Sequence, residues 1–360
     1  MKSLITYLTL FLLLQLSCQP ISKKTETRHP KNIILLIGDG MGVTQLYAGH
    51  IANKGTLNIE RCKHIGFSRT HSANNLITDS GAGGTAIACG IKTNNNLIGM
   101  TPDSVPIKSI LHYAEMNNKV TGLVATSEIT HATPASFIAH SPSRYEYENI
   151  AADFLKTDID VFIGGGLDHF TKKKDNIKLI DQLKAKGYTI AKSMKELANC
   201  NQGKLAALVY KKHPPYIASG RGNFLEISSK KAIDLLSQNE NGFFLMIEGS
   251  QIDWAGHDND SEKLVQEMLD FDKAVGIALN FAEKNKETLV IITADHETGG
   301  YVISGGDINT GKVEGIFSTN HHSAVMVPVI TYGPQAENFM GFMENIDIFT
   351  KMYDSFGFEK

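Results

Sequence analysis

The chain has 360 residues, of which 42% are hydrophobic and 20% charged, ordinary values for a soluble globular protein large enough for one big core or two smaller ones. A net charge of −3 gives no basic footprint, which argues against a nucleic-acid partner. Of four cysteines, Cys62, Cys89 and Cys200 lie beyond the amino-terminal segment; three is odd, no CxxC pair appears, and nothing resembles a disulfide framework.

Met1-Lys2 precedes an apolar run, Leu4 to Leu16, which meets Ser17-Cys18-Gln19-Pro20. The run falls short of the roughly 20 residues that a membrane-spanning helix needs, and it fits the hydrophobic region of a secretory signal. Leu16-Ser17-Cys18 is similar to a bacterial lipobox, with Gln15 where an aliphatic residue is usual. The expectation is an exported bacterial protein, periplasmic or membrane-anchored through a lipid on Cys18, with simple cleavage of residues 1–18 as the alternative. Residues 19–30 are polar and basic without apolar periodicity and read as a tether. Residues 31–360 then form the folded unit.

Asn32 to Ile37 is a continuous apolar run that stops at Gly38-Asp39-Gly40-Met41-Gly42, the pattern of a strand buried on both faces. Similar runs follow at Val120 to Ala125, Val161 to Ile163, Phe243 to Ile247, Thr288 to Ile292 and Val327 to Thr331. Between them lie helical stripes: Ile107, Ile110, Leu111 and Ala114; Ile150, Phe154 and Leu155; Ala232, Ile233, Leu235 and Leu236; and Leu264, Met268, Phe271, Val275 and Leu279. Strands alternating with helices predict an α/β fold, a mainly parallel central sheet with helices on both faces. The stretch at about 187–227 is the least regular and reads as an excursion or small subdomain.

Three of these strands end in an acid: Asp39, Glu248 and Asp295. Ligands of open α/β sheets bind at the carboxyl ends of the strands. One acid after a strand is most often a helix cap, but three converging there would repel one another unless cations lay between them. Histidines fall nearby. Asp253 and His257 are four apart, on one face of a helical turn, and Asp295-His296 and His321-His322 add further imidazoles. Imidazole with carboxylate suits Zn²⁺, whereas carboxylate with hydroxyl suits Mg²⁺.

Thr78-Asp79-Ser80, followed by Gly81-Ala82-Gly83-Gly84, reads either as a tightly packed turn or as a serine nucleophile at a helix start, where the positive end of the helix favours an anion. The segment Thr130-His131-Ala132-Thr133-Pro134 precedes Arg144, a residue type that clamps two phosphate oxygens at once.

In order and approximate spacing, Asp39-Gly-Met-Gly42, Thr78-Asp79-Ser80, Thr130-His-Ala-Thr133-Pro, Arg144, Glu248…Asp253…His257, Thr293-Ala-Asp295-His296 and His322 resemble the alkaline phosphatases over about residues 31–334. The resemblance implies the three-layer fold of that family and hydrolysis of phosphate monoesters to alcohol and phosphate through a phosphoserine. It implies Ser80 as the nucleophile and Arg144, held by Asp79, as the phosphate clamp. Two zinc ions would be shared out, one to Asp253, His257 and His322, the other to Asp39, Asp295 and His296. A magnesium ion would take Asp39, Thr133 and Glu248, so that Asp39 bridges two ions.

His131 and Trp254 stand where some members of the family carry Asp and Lys, beside the third metal and the phosphate, and they bear on the metal preference there. His322-Ser323-Ala324 replaces the more usual His-Thr-Gly, with His321 adjacent. Only 25 residues separate His296 from His322, so the crown of larger relatives is expected to be reduced; a homodimer stays open. The weighed alternatives are a phosphodiesterase or other hydrolase of the superfamily, or a non-catalytic metal- or phosphate-binding lipoprotein. Ser80 is not followed by the x-Pro-x-Arg of a sulfatase.

Overall fold

The computed structural model describes residues 29–174 and 177–359; the expected leader, Cys18 and all but the last two residues of the tether lie outside them. Strands are numbered in chain order: β1 (Asn32–Gly38), β2 (His64–Arg69), β3 (Val120–Glu128), β4 (Val161–Gly165), β5 (Lys173–Lys174), β6 (Ile177–Lys178), β7 (Thr189–Ala191), β8 (Leu205–Leu208), β9 (Phe243–Gly249), β10 (Thr288–Thr293), β11 (Glu297–Thr298), β12 (Tyr301–Asp307), β13 (Lys312–Phe317), β14 (His322–Ser323), β15 (Val327–Tyr332) and β16 (Gly341–Glu344). Ten of them form one sheet in the order β16-β2-β15-β10-β1-β9-β3-β4-β8-β7.

β1 shows why this sheet is a central layer. Ile33, Leu35 and Ile37 point into one hydrophobic cluster, with Ile87, Ile110, Ile348 and Met352 from the helices Ser80–Cys89, Ile110–Met116 and Asn345–Phe356. Ile34 and Leu36 point into another, with Ala48, Ile233, Leu264 and Phe271 from the helices Val43–Ala52, Phe224–Leu236 and Ser261–Asn285. Side chains alternate across a strand, so a run that is apolar at every position requires cover on both faces. The expected α/β sandwich is what forms.

The sheet is mixed at one place. β15 runs antiparallel to both β10 and β2. The chain leaves β10 at its carboxyl end and returns without a crossover helix, which fits an antiparallel partner. The stretch expected to be irregular begins with β7, a helix Met194–Asn199 and β8, which complete the far edge of the sheet; residues 209–223 are loop apart from a single 3-10 turn. The interval between His296 and His322 holds the β12–β13 hairpin, closed at its base by the two-residue ladder of β11 with β14.

Candidate active site

The site stands on the middle of the sheet. β9, β1 and β10 are adjacent and parallel, with Ile37 level with Glu248 on one side and Thr293 on the other. Their carboxyl ends therefore deliver Glu248, Asp39 and Asp295 to one place, and all three side chains are fully buried. Burial and the charges of Asp295, Asp253 and Glu248 raise the Asp39 carboxyl well above its ordinary range. Burial pushes Glu248 up to about 7 and, with help from Asp253, Asp295 to about 6. Both oxygens of Asp39, Oε1 of Glu248 and Oδ2 of Asp295 have no hydrogen-bond partner. Buried carboxylate oxygens left without donors are costly unless a cation satisfies them.

Three groups of converging donor atoms surround these acids. In the first, His257 and His322 Nε2 lie 3.1 Å apart and 3.3 and 3.4 Å from Asp253 Oδ1. His257 Nδ1 donates to Asn320 O and His322 Nδ1 to Thr78 O, both at 2.8 Å. A carbonyl can only accept, so Nδ1 carries the proton and Nε2 keeps its lone pair for the group. Asp253 is held low, its burial outweighed by His322, His296 and His257. In the second group, His296 Nε2 is 3.5 Å from Asp39 Oδ1 and 3.3 Å from Asp295 Oδ2. The His296 and His322 rings stack at 3.6 Å and join the two groups.

The third group combines Asp39, Glu248 and His131. Thr133, expected as a ligand here, has a fully buried hydroxyl without a partner. Burial holds His131 well below the usual imidazole range, so it is a neutral ring with Nδ1 unpaired.

Ser80 opens the helix Ser80–Cys89, whose cap is Asp79: its Oδ1 accepts from Ala82 N at 2.9 Å. Ser80 Oγ lies 3.2 Å from His296 Nε2. The glycines after it do not open space for a ligand. A Cβ on Gly83 would stand 3.1 Å from Asp295 O, and one on Gly84 would stand 2.9 Å from Ser136 Oγ. They let the helix press against the segments that carry Asp295 and Thr133. Arg144 Nη1 donates to Asp79 Oδ2 at 3.0 Å, and the Asp79 charge raises the guanidinium pKa against the effect of burial.

Ser80, Arg144 and the first group face a cleft of about 410 Å³, also lined by His131, Trp254, Asn96 and Tyr145. Trp254 stands edge-on to His213 at 4.7 Å and to His131 at 5.9 Å. Asp79, Ser80, His131, Arg144, Asp253, Trp254, His257 and His322 line this cleft, while Asp39, Thr133, Glu248, Asp295 and His296 are fully buried; of the two adjacent histidines, His322 and not His321 enters the first group. Several supporting residues carried no sequence signal. His213, which accepts from Glu128 N at 3.0 Å, reads as an ordinary polar residue until the fold brings it under Trp254. Gln45, Glu297 and Thr298 are buried just behind the histidines.

An α/β sandwich with three carboxylate–imidazole groups and a capped serine at its sheet ends is the frame of a metal-binding hydrolase. The alkaline phosphatase family model matches residues 30–314, and the chain belongs to the alkaline phosphatase family. Its activity is phosphomonoester hydrolysis. It is 40% identical to alkaline phosphatase 3 of Bacillus subtilis (88% of this chain, 71% of the relative), and 37% identical to alkaline phosphatase 4 of the same organism (91% and 74%). The solved alkaline phosphatase of the Antarctic bacterium TAB5 superposes with a TM-score of 0.88 at 42% identity, covering 93% of this chain and all of that one.

Proposed function

We propose that hydrolysis proceeds through a covalent phosphoserine on Ser80, with Arg144 as the phosphate clamp and Asp79 as the residue that positions it. The observation that carries this is the convergence on one cleft of a capped serine, a guanidinium fixed by a carboxylate and the first group of metal-ligand atoms, with the second group reaching Ser80 Oγ through His296.

The donor sets fit cations. Asp253, His257 and His322 would hold one zinc and Asp39, Asp295 and His296 a second, while Asp39, Glu248 and Thr133 would hold magnesium, with His131 alongside. The partnerless oxygens of Asp39, Glu248, Asp295 and Thr133 support this reading. A TAB5 alkaline phosphatase mutant, in which a histidine is replaced by glutamate, has been solved with Mg bound in its M3 site; Mg²⁺ is proposed here for the third group on the same footing. When bound, such ions lower the pKa of an adjacent hydroxyl and screen phosphate oxygens.

The chain's own groups do the rest. Ser80 Oγ, at the first turn of its helix, lies on the positive end that favours the incoming dianion. Arg144 ties one of its five N–H groups to Asp79, and two of those that remain would orient two phosphoryl oxygens. Formation of the Ser80 O–P bond expels the alcohol, and water then breaks that bond and releases phosphate. Two in-line displacements leave the configuration at phosphorus retained.

Residues 31–360 act in this reading as one catalytic unit. Cys18 acylation, with a periplasmic or membrane-anchored location, and a homodimer complete it; mass spectrometry of the mature amino terminus checks the acyl group. No helix among the described residues is long and apolar enough to cross a membrane. The mechanism is tested with p-nitrophenyl phosphate, its bis-ester and its sulfate at alkaline pH with Zn²⁺ and Mg²⁺. The expected result is preference for the monoester and a trapped phosphoserine at Ser80; label on any other residue defeats the assignment.

A further inference from the structure

Glu297 is the residue after His296, only 3% exposed. Its carboxylate accepts from four neutral donors. Gln45 Nε2 at 2.6 Å and Tyr301 N at 3.0 Å donate to Oε1; Gly300 N at 3.2 Å and Ser323 Oγ donate to Oε2. The donors come from three places: the helix Val43–Ala52, the root of the β12–β13 hairpin, and β14. A Cβ on Gly42 would stand 2.6 Å from Glu297 Cγ, so the last glycine of Asp39-Gly-Met-Gly42 is what admits this side chain.

The register shows what the carboxylate secures. Glu297 pairs with Ser323, and Thr298 pairs with His322, in a ladder only two residues long. So short a ladder has little stability of its own, yet it is the backbone pairing that joins the strand of His322 to the strand that follows Asp295-His296. Thr298 Oγ1 donates to Asp253 Oδ1 from the same dipeptide. We propose that Glu297 is a positioning residue for the first metal group: by fastening Ser323 it fixes where His322 meets Asp253 and His257. Outer partners of this kind orient ligating histidines. The inference rests on the metal reading given above.

An amide cannot replace this carboxylate. A glutamine has one accepting oxygen, so whichever way it is turned its NH₂ would face a fixed backbone N–H, that of Tyr301 or of Gly300. Glu297→Gln keeps the shape and removes the function. Zinc affinities are to be measured on the full-length protein by competition with a chromophoric chelator, with His322→Ala marking which binding phase belongs to the first group. Glu297→Gln is expected to weaken that phase by about 10- to 100-fold, the usual effect of losing an outer-shell partner, and to leave the Asp39–Asp295–His296 phase within about threefold. Loss of thermal stability in the metal-free variant without a change in the first phase, or equal weakening of both phases, overturns the proposal. If Glu297→Gln does not fold, Ser323→Ala carries the test: a severalfold weakening of the first phase supports the role, and an unchanged one removes it. Wild-type protein that takes up no zinc would sink the metal assignment itself, an outcome distinct from two normal phases in both proteins.

Discussion

Asp79 Oδ2 accepts from Arg144 Nη1 at 3.0 Å and from Asn96 N at 3.1 Å, while Oδ1 caps the helix that Ser80 opens. One carboxylate thus sets the distance between clamp and nucleophile. Arg144→Ala is expected to weaken competitive inhibition by inorganic phosphate by about 10- to 100-fold, since hydrogen bonds to charged groups contribute roughly 1.5–3 kcal/mol. Asp79→Asn keeps an accepting oxygen for the cap and should cost less, showing mainly in KM. Unchanged inhibition by phosphate in Arg144→Ala would count against the clamp.

Ser80→Ala removes the hydroxyl and nothing else, since the cap belongs to Asp79 and the helix core is unaffected. Monoester turnover should fall by a factor on the order of 10³ or more, with no phosphoenzyme after acid quench. Metal content and melting temperature should stay close to wild type. Substrate phosphate still bound covalently to the variant would point to another nucleophile.

Asp39 belongs to two of the three groups and Glu248 to one. Asp39→Ala is therefore expected to lose metal from both the second and third groups, and Glu248→Ala from the third alone. Elemental analysis of dialysed protein distinguishes them; equal losses in the two variants would contradict the bridging role.

Burial pushes Glu115, on the helix Ile110–Met116, up to about 7 from the ordinary 4.5. A carboxyl raised on folding contributes stability that is complete below pH 4.5 and is lost as pH rises through 7. The site is partly open to solvent, so the expected size is roughly 1 kcal/mol between pH 5 and pH 8. Glu115→Gln should flatten that slope in chemical denaturation. If the two proteins keep the same pH dependence, Glu115 is not its source.

Gly83→Ala would place a Cβ 3.1 Å from Asp295 O and 3.2 Å from Asp295 Cβ. Neither neighbour is a flexible chain end. A cost of about 1–3 kcal/mol and weaker zinc retention by the second group are expected. A variant with wild-type metal content and melting temperature would show that the helix can shift to admit the methyl.

The acids and their strands are legible in sequence because a strand buried on both faces writes itself as an unbroken apolar run, and Asp39, Glu248 and Asp295 come at the ends of three such runs. β2, β7, β8 and β16 are short or half-exposed strands at or next to the two edges of the sheet, β16 and β7 being the edges themselves, and they lack that signature. The β15 run is visible, but its direction is not, because pairing direction depends on how the chain returns. The glycines after Ser80 read as close packing, but what they pack against does not show in the sequence: Gly83 meets Asp295, more than 200 residues away, and Gly84 meets Ser136. Glu297 leaves no trace for a related reason: two of its four partners are backbone amides and the other two, Gln45 and Ser323, are neutral side chains brought in by tertiary contact, so none is a charge that spacing could suggest. His131 joins the third group because it follows β3, which pairs with β9 so that Ala125 is level with Glu248, a relation that no local pattern encodes.

The β12–β13 hairpin leaves the site between His296 and His322, and its root is fastened by the β11–β14 ladder and the Glu297 carboxylate. Beyond that root the hairpin packs on the helices Val43–Ala52 and Ser261–Asn285, and none of residues 302–317 belongs to the three metal-ligand groups. The tip of the hairpin is thus the part of this interval whose length can vary with least disturbance of the ligands on either side of it.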